Sequence, residues 1–377
     1  MKILLYSYVF YPSIGGVETI TATLAENIQR LGHHCIVVTE AMLYGHQELE
    51  VDYEIYRKPT LRKRLSLAHQ CDLVHSNGAS VAMFPFAQLA NKPFIWTHNG
   101  YQVACVDGLG WFDGEPAPMT PRESLLFHLK KRGLIHFCKE AIKLSIRRYV
   151  ADQVDLNIAA THWVAKRQPL KNQVVAYTPY PLAKLRAARQ DISKKYDFIY
   201  VGRLVSEKGV DTLLQAFQRL MMEPEYRHTT LAVIGEGERK QELETIADRL
   251  KLQDKVFFLG AKRGQDLIRV IEQATIGIVP SIWEEPMGGV SLELMAAGKV
   301  VITSSRGGHS ECVGDAGLKF ENGNYNQLCN SMKILVSDHD CFIELCNNIR
   351  NQISMFDEFE LTQRYAEIYK QCIESHT

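Results

Sequence analysis

The sequence lacks several features that would place it in other protein classes. Its nine cysteines are scattered, with no C-x-x-C pair and no spacing typical of metal ligands. No apolar run reaches the roughly 18 residues that a membrane-spanning helix needs. Solenoid repeats and low-complexity segments are also missing. The composition therefore favours a folded protein with reduced, mostly buried thiols, as is usual in the cytoplasm.

The sequence also has no excess of either charge, and its first residues do not show the pattern of a signal peptide. Lys+Arg and Asp+Glu number 43 each, so no overall field attracts nucleic acid or a membrane. The first residues, M-K-I-L-L-Y-S-Y, lack the small-residue cleavage site of a signal peptide. We therefore expect a cytoplasmic protein that does not bind nucleic acid, and any attraction to a membrane must come from a local basic surface.

What the sequence does contain is a repeated alternation of strand-like and helix-like segments. With 377 residues, 46% of them apolar, the chain is long enough for two domains. Lys2–Ser7 and Cys35–Thr39 read as buried strands, and the apolar spacing between them is helical. A second such series begins at Asp197. The pattern predicts an α/β protein with two doubly wound domains.

The stretch Ser281–Glu293, S-I-W-E-E-P-M-G-G-V-S-L-E, links a strand-like run to a helix-like run. Gly288 and Gly289 allow the backbone to approach a ligand closely, and the helix start favours phosphate. Glu285 and Glu293 lie on either side of these glycines. A sugar nucleotide, with hydroxyls at both ends and phosphates between them, fits this order. The alternative is an ordinary strand-to-helix turn with two solvated glutamates.

Upstream, Gly202–Gly209 reads G-R-L-V-S-E-K-G directly after a predicted strand. Arg203 supplies a planar fork and Lys208 a point charge, both suited to stabilising a leaving diphosphate. Pairing of either cation with Glu207 or another acid is the alternative. Two fixed cations and helix amides can replace a divalent metal, and no D-x-D follows a strand. We therefore expect metal-independent chemistry without a cofactor.

Two N-terminal features point to the same edge of the first domain. Gly15 and Gly16 follow the first strand, where doubly wound folds bind ligands, although a simple tight turn would also explain them. His98, in W-T-H-N-G, comes just past another strand end, and we expect it at the rim of a cleft between the domains. Capping a helix or satisfying a backbone group is the alternative for His98.

Three motifs occur in one order along the chain: the N-terminal G-G-V-E loop, the G-R-x-x-x-E-K-G stretch, and Glu285 with Glu293. With these motifs the sequence resembles the retaining glycosyltransferases of family four over nearly its whole length. The resemblance implies the GT-B architecture, with two Rossmann-like domains facing across a cleft. It implies an N-terminal acceptor domain at 1–182, a nucleotide-sugar donor domain at 183–355, and a terminal helix, 356–377, that crosses back to the first domain. The implied reaction moves a hexosyl group from a UDP- or GDP-sugar to a glycan or lipid-linked acceptor, in polysaccharide or glycoconjugate biosynthesis.

The resemblance also assigns roles to residues. Glu285 would accept hydrogen bonds from the transferred sugar, Glu293 from the ribose, and His98 would lie beside the reacting sugar. Met287 and Gly289 depart from the Phe and Leu that relatives often have. The implied catalytic residues are His98, Arg203, Lys208 and Glu285. The implied donor-binding residues are Gly15, Gly16, Gly202, Arg203, Lys208, Gly235, Gly260, Glu285, Met287, Gly288, Gly289, Val290 and Glu293.

Two basic segments are candidate contacts for an anionic membrane surface. Arg57–Arg64 is the densest basic run, and a solvated loop or helix end is its ordinary explanation. Arg122–Arg148 reads as basic and amphipathic, so it could lie on a membrane or form a packed helical pair with a solvated edge. We expect this segment and the irregular loop Gln102–Pro121 to bind the acceptor, with the protein peripheral on the inner face of the plasma membrane.

Two other functions share the expected architecture. A sugar-nucleotide epimerase would need acid and base groups in the cleft, and would lack the paired arrangement of Arg203 and Lys208 with Glu285 and Glu293. A non-catalytic nucleotide-sugar-binding subunit would not need both cations and both glutamates, and all four are present. Incubation with a nucleotide sugar alone separates these functions, because only an epimerase makes a new nucleotide sugar without an acceptor.

Overall fold

The computed structural model describes residues 1–13, 15–188 and 193–376, which form two compact units. Unit 1 comprises 1–110, 117–181 and the chain from Phe356 onward. Unit 2 comprises Trp111–Pro116 and Leu182–Met355. The boundaries expected from the sequence leave 111–116 in the first domain, whereas the structure groups this short hairpin with unit 2.

The bounds of the regular elements are as follows. The strands are β1 (Lys2–Ser7), β2 (His34–Thr39), β3 (Glu54–Arg57), β4 (Leu73–Asn77), β5 (Phe94–His98), β6 (Trp111–Phe112), β7 (Glu115–Pro116), β8 (Leu156–Ala159), β9 (Gln173–Val175), β10 (Tyr196–Val201), β11 (Leu231–Ile234), β12 (Val256–Phe258), β13 (Ala274–Val279), β14 (Val300–Ser304) and β15 (Gly317–Phe320). The helices are α1 (Gly16–Arg30), α2 (Leu61–Gln70), α3 (Phe84–Leu89), α4 (Pro121–Arg132), α5 (Leu134–Gln153), α6 (His162–Arg167), α7 (Ala183–Arg186), α8 (Val210–Met221), α9 (Lys240–Arg249), α10 (Gly264–Glu272), α11 (Gly289–Ala296), α12 (Gly308–Val313), α13 (Tyr325–Ser337), α14 (His339–Ser354) and α15 (Glu358–His376). Short 3₁₀ turns cover Ser206–Lys208 and Pro224–Tyr226.

Unit 1 is built on a parallel sheet in the order β3-β2-β1-β4-β5-β8-β9. Successive side chains of a strand point to opposite faces, so Leu4 and Tyr6 pack on one face and Ile3 and Leu5 on the other. Helices cover both faces, which explains why these strands are apolar throughout rather than alternating. The predicted doubly wound fold is confirmed for this unit.

Unit 2 repeats the arrangement with a parallel sheet in the order β12-β11-β10-β13-β14-β15. The apolar face of α8 is buried, including Leu213, Phe217 and Leu220. Phe217 meets Phe198 of β10 edge to face, with ring centroids 6.1 Å apart. The second predicted doubly wound fold is therefore confirmed as well.

In each sheet the winding direction reverses beside the first strand, and this is where doubly wound folds bind ligands. In unit 1 the reversal lies between β1 and β4, and in unit 2 between β10 and β13. The loops at the carboxyl ends of these strands begin at Tyr8, Gly78, Gly202 and Pro280. Three of them carry sequence features that we associate with binding.

The basic segment Arg122–Arg148 forms two helices, α4 and α5, rather than one. Gly133 lies between them with φ +82°, a conformation that residues with a side chain rarely adopt. The chain therefore turns at Gly133, and α4 packs against α5. This arrangement corresponds to the packed helical pair that was the alternative to a single membrane-surface segment.

The terminal helix α15 packs on unit 1. Tyr365 and Tyr369 are buried in the core face that also contains Ile3 and Leu5. The Tyr369 hydroxyl lies 2.8 Å from His75 Nδ1 in β4. Before this helix the chain is part of unit 2, so the last helix returns to the unit in which the chain began. In the expected linker, α7 occupies Ala183–Arg186, and 189–192 lie outside the described residues.

Candidate functional site

Two loops meet at the switch point of unit 2, the one after β10 and the one after β13. The N–H of Ile282 donates to the carbonyl of Glu207 over 3.0 Å, which fastens the second loop to the first. Gly209 has φ +65°, and a Cβ at this position would lie 2.1 Å from the Pro280 carbonyl oxygen. Only glycine permits so close an approach, so the last residue of G-R-L-V-S-E-K-G is what allows the two loops to touch.

The contact places Lys208 beside Glu285. Lys208 Nζ donates to Glu285 Oε1 over 2.6 Å, and the two side chains are only 17% and 11% exposed. Ser281 Oγ also donates to Oε1, and His309 Nε2 lies 2.9 Å from the same oxygen. Three groups from three segments therefore converge on one carboxylate oxygen, and the stretch around Glu285 is a built site rather than a solvated turn.

The surroundings of Glu285 keep its carboxylate ionised. Burial alone would raise the pKa of Glu285, but His309 and Lys208 outweigh burial and hold the pKa below its usual range. Within the described part of the chain, no hydrogen bond or ion pair involves the second oxygen, Oε2. A ligand hydroxyl can therefore reach a charged acceptor without displacing Lys208.

His309 is a functional candidate that the sequence reasoning did not identify. It lies in α12 after β14, and its ring also approaches Ser291 Oγ at 3.3 Å. Gly308 fixes this approach, because its N–H donates to the Glu285 carbonyl and a Cβ there would lie 2.4 Å from the Pro286 oxygen. The available signal was the Gly-Gly-His sequence directly after a predicted strand end.

Arg203 points into solvent at the mouth of the same site. Its side chain is 69% exposed, and its Nη2 lies 3.2 Å from Glu207 Oε1. Both predicted phosphate-binding cations therefore pair with acids in this structure, as the alternative interpretation of their sequence allowed. An exposed guanidinium keeps most of its five donors for a ligand.

Gly202, Gly235 and Gly260 lie next to one another at the ends of β10, β11 and β12. Gly202 N–H donates to the Ile234 carbonyl and Gly235 N–H to the Gly260 carbonyl, each over 3.0 Å. A Cβ at Gly235 would lie 1.8 Å from the Gly202 oxygen. The structure thus brings three of the predicted donor-binding glycines into one continuous backbone edge.

Helix α11 begins beside this edge. Gly288 is its N-cap, without a side-chain cap, and Met287, Gly289 and Val290 surround the free amides of the first turn. Glu293 lies in the second turn and is half-buried. The amides, Lys208 and Arg203 can together hold a diphosphate, and Glu285 provides a carboxylate beside them.

The hairpin β6–β7 lies against the loop after β10. The indole N–H of Trp111 donates to Ser206 Oγ over 3.0 Å, and Trp111 is buried. Ser206 lies between Arg203 and Lys208, so the hairpin supports the loop that holds both cations. This contact was not expected, because the sequence of Gln102–Pro121 read as irregular.

In unit 1, Gly15 and Gly16 lie at the start of α1. Gly15 is the N-cap and has no side-chain cap. A Cβ at Gly16 would meet open space, while a Cβ at Gly15 would lie 2.6 Å from Glu18 Oε2. Gly16 is therefore accessible at the switch point of this unit, and Gly15 is covered by the Glu18 carboxylate. Their predicted contact with a donor stays a prediction.

His98 lies at the end of β5, but its side chain is directed inward rather than to an open rim. It is 0% exposed, its Nε2 lies 2.8 Å from Asn157 Oδ1, and its ring packs on Trp96. Burial lowers the pKa of His98 to about 4, so the imidazole is neutral at pH 7. Contact with a substrate would require movement of the chain around this ring, and the catalytic role of His98 stays a prediction.

The basic run Arg57–Arg64 is only partly a solvated surface. Arg57 is paired with Glu48 and Arg64 with Glu40, each over 2.7 Å, and both guanidinium groups are largely buried. Lys63 lies over the ring of Tyr56. The run therefore offers fewer available cations than its sequence suggested, because Arg57 and Arg64 are paired with acids of unit 1.

Metal-ligand clusters and membrane-spanning helices are both missing from the described residues. No group of three or more His, Cys, Asp or Glu side chains there has the geometry of a metal site, and metal independence stays a prediction. None of the helices among these residues combines the length and the apolar character needed to cross a bilayer.

Comparison with known proteins gives three findings of similarity. Residues 183–354 match the family model described as "Glycosyl transferases group 1". An uncharacterized glycosyltransferase of Methanocaldococcus jannaschii, MJ1607, is 36% identical over 30% of this chain, and the matched part is 28% of that protein. The gpi3 subunit of phosphatidylinositol N-acetylglucosaminyltransferase from Schizosaccharomyces pombe is 22% identical over 88% of this chain and 72% of its own length.

The most informative solved structure is that of Anabaena Alr3699/HepE in complex with UDP. It is similar over 98% of this chain and 100% of its own, with a TM-score of 0.76 and 20% identity. At this identity the likeness shows the fold, which is the expected GT-B fold. The matched segments cover less than a third of the first relatives, including MJ1607, so whole-protein activity does not follow from them.

Proposed function

We propose that the protein is a retaining hexosyltransferase, because residues 183–354 match the family model of the group 1 glycosyl transferases and the chain has the GT-B fold. It transfers a sugar from a UDP- or GDP-sugar to a glycan or lipid-linked acceptor in polysaccharide or glycoconjugate biosynthesis. The contact between Lys208 and Glu285 at the switch point of unit 2 is the observation that carries the proposal.

The donor site follows from this contact. The Lys208 ammonium has three donors, of which one binds Glu285, so the others can reach the diphosphate. Arg203 and the first amides of α11 provide further donors for the charge that develops as the sugar–phosphate bond breaks. Glu285 Oε2 accepts from the sugar hydroxyls and Glu293 from the ribose.

Retention of configuration comes from the family resemblance, and the surroundings of Glu285 favour a route to it without a covalent intermediate. A carboxylate whose Oε1 is engaged by Lys208, Ser281 and His309 is a poor nucleophile. In the mechanism we propose, the acceptor hydroxyl attacks from the face that the diphosphate leaves. Its proton passes to the departing phosphate oxygen, which balances the reaction without a covalent enzyme intermediate.

The decisive test is turnover of nucleotide sugars by the purified protein. Raised melting temperatures in a panel of UDP-, GDP- and ADP-sugars identify the donor, because a ligand at a hundred times its Kd adds about 2.7 kcal/mol. With that donor, we expect slow release of the nucleoside diphosphate without an acceptor. Lys208→Ala should lower this rate about a hundredfold or more, the scale of one lost transition-state donor.

Two controls and two alternative outcomes make this test specific. Arg269→Gln removes an exposed, ion-paired cation of the same unit and should leave the rate unchanged. Excess EDTA should also leave it unchanged, whereas loss restored by Mg²⁺ would overturn metal independence. Formation of a new nucleotide sugar without acceptor would instead identify an epimerase, and stabilisation without turnover would identify a binding subunit.

We also propose that α4 and α5 hold the protein at an anionic membrane, on the inner face of the plasma membrane. Leu134 and Ile135 follow the turn at Gly133 and are 66% and 90% exposed. Lys130 precedes the turn, and Lys139 and Lys143 follow it. Exposed apolar side chains between cations are the features that attach a helix to an anionic bilayer.

A further inference from the structure

A cavity of about 720 Å³ opens at the switch point of unit 1, outside the donor site described above. Its walls are the loop after β1, the loop Gly78–Ala82 after β4, Gln102 and one face of α5. This volume lies within the usual range for small-molecule sites, roughly 300–1,000 Å³. Its place in the sheet is also the one at which doubly wound folds bind ligands.

The α5 wall alternates cationic and apolar side chains. It consists of Lys139, Ile142, Lys143, Ile146 and Arg147, which share one helix face because they follow the spacing of three and four residues. Ile142 and Ile146 are both exposed despite their size. The wall can therefore contact a charged group and an apolar chain at the same time.

The described residues that line this cavity include no Asp or Glu, so they do not balance its positive charge. Lys143 lies 3.4 Å from Glu140 on the same helix. Arg147 is half-buried, and within the described residues no hydrogen bond or ion pair involves its guanidinium. Burial lowers the pKa of Arg147, against the opposing effect of Glu140 and Cys105. A partly desolvated cation without a partner is costly, and a bound anion would remove this cost.

A neighbouring cavity of about 570 Å³ provides a comparison. It shares Tyr8 and Ser80 with the first, but its Arg64 is neutralised by Glu40 over 2.7 Å. Lys58 is the other cation among the described residues of its lining, so two cations there face one carboxylate, whereas the α5 wall of the first cavity has three cations. Gln102, on the other wall, has a buried Oε1 without a hydrogen-bond partner among the described residues. It can bind a polar group next to the anion.

We propose that this cavity binds the phosphate ester group of an amphiphilic acceptor, and this rests on the glycosyl transfer proposed above. Arg147 binds the phosphate with its planar fork, and Lys139 and Lys143 add charge. Ile142 and Ile146 cover the first carbons of the apolar chain. The assignment narrows the acceptor from any glycan to a phosphate-bearing amphiphile.

Calorimetry with octyl phosphate tests the site directly. We expect saturable binding to the wild-type protein, and binding at least about tenfold weaker for Arg147→Gln, the scale of one charge-assisted hydrogen bond. Octyl glucoside, which has the same chain without charge, should bind far more weakly than octyl phosphate. Octanoate should bind more weakly too, because it offers fewer oxygens to the three cations.

Arg148→Gln is the matched control. It makes the same change one residue along α5, where Arg148 donates to the Val103 carbonyl outside the cavity. Its binding of octyl phosphate should stay within twofold of wild type. Equal binding to the wild-type protein and to Arg147→Gln, or equal loss in the Arg147 and Arg148 variants, would overturn the proposal.

Two further measurements separate the possible outcomes. Binding of inorganic phosphate as tight as that of octyl phosphate would overturn the role of the apolar wall. The protein could instead bind only to vesicles that contain phosphatidylglycerol, in a way that requires Arg147. This result would support a site for the phosphate of a bilayer headgroup.

Donor hydrolysis should be the same in Arg148→Gln and in the wild type, which shows that the control variant is folded. If the protein bound octyl phosphate through Arg147 but did not turn over any donor, the anion site would be supported and the proposed glycosyl transfer would be overturned. Turnover without octyl phosphate binding would overturn the acceptor assignment alone.

Discussion

Glu285 shows how much one carboxylate depends on distant parts of the chain. Lys208, Ser281 and His309 all contact Oε1, and they come from the ends of three strands. The depressed pKa of Glu285 means that its ionised form stabilises the fold at pH values above the ordinary Glu pKa of about 4.3. This contribution is lost only as the pH falls below that value, so we expect no change in the charge of Glu285 between pH 5 and 8.

The two glutamates should differ in their kinetic effects. In the proposed site Glu285 contacts the sugar, which gains positive charge in the transition state, so Glu285→Gln should lower kcat and relax selection among sugars. The ribose is held alike in the ground and transition states, so Glu293→Gln should mainly raise KM. Steady-state kinetics with one donor series would measure both effects.

Glu284→Gln provides the control for this pair of variants. Glu284 is next to Glu285 in the chain, and its carboxylate is paired with Arg306. Kinetics close to wild type are expected for that variant. A change in KM alone for Glu285→Gln, together with a change in kcat alone for Glu293→Gln, would require the two roles to be exchanged.

The sequence predicted that Lys208 and Glu285 lie in neighbouring loops, but it did not predict which other groups contact Glu285. Lys208 and Glu285 belong to local patterns, each following a strand, and the parallel order of β10 and β13 makes their loops neighbours. The approach of His309 to Glu285 depends on the packing of α12, which no local pattern records. The ion pairs of Arg57 and Arg64 escaped prediction for the same reason.

At the scale of elements, β4 and β5 contain two buried histidines that couple the fold to pH. His75, with Nε2 2.7 Å from Thr97 Oγ1, has its pKa lowered to about 3 by burial, and His98 has its pKa lowered to about 4. Both rings are therefore neutral in the folded protein. Unfolding lets each of them bind a proton below about pH 6.5, the ordinary His pKa.

The expected consequence is a loss of stability on acidification. The contribution of each histidine is fully present above about pH 6.5 and falls as the pH drops towards the folded pKa, by up to about 1.4 kcal/mol per pH unit. The free energy of unfolding, measured by urea denaturation at pH 7 and pH 5, should decrease accordingly. His98→Gln should reduce this decrease.

His69→Gln is the matched control, since His69 is exposed at the end of α2. It should leave the pH dependence of stability unchanged. If His98→Gln had no more effect on the pH dependence than His69→Gln, the buried neutral state of His98 would be wrong.

His98 also shows which property of a strand residue the sequence pattern does not predict. Its position at the end of β5 could be predicted from the apolar run before it. The direction of its side chain depends on register, because alternate residues of a strand point to opposite faces. Here the side chain of His98 meets that of Asn157 in the neighbouring strand β8, 59 residues further along the chain. Similarly, the break between α4 and α5 depends on the backbone angle of Gly133, which the sequence composition does not reveal.

At the scale of the whole molecule, the surface of α4 and α5 predicts attachment to anionic vesicles. Binding should weaken as salt rises, because the attraction is screened over about 10 Å at 0.1 M ionic strength. Leu134→Ser with Ile135→Ser should reduce co-sedimentation with phosphatidylglycerol vesicles, because these side chains can enter the bilayer boundary. Donor hydrolysis should be unaffected in the double variant.

The exposed Arg62 supplies a comparison outside this surface. Arg62→Gln should leave vesicle binding nearly unchanged if α4 and α5 make the contact. Equal recovery of the wild-type protein in the supernatant with and without vesicles at low salt would remove the proposed membrane location.

The hydrogen bond between Trp111 and Ser206 couples an intrinsic fluorophore to the loop after β10. The indole N–H donates to the Ser206 hydroxyl in the loop that contains Arg203 and Lys208. A ligand that binds these cations should therefore change the polarity around Trp111. Of the four tryptophans, Trp96 is sealed in the core of unit 1 and supplies a constant background. Occupancy of the donor loop can thus be followed by emission, without a label, while the reaction proceeds.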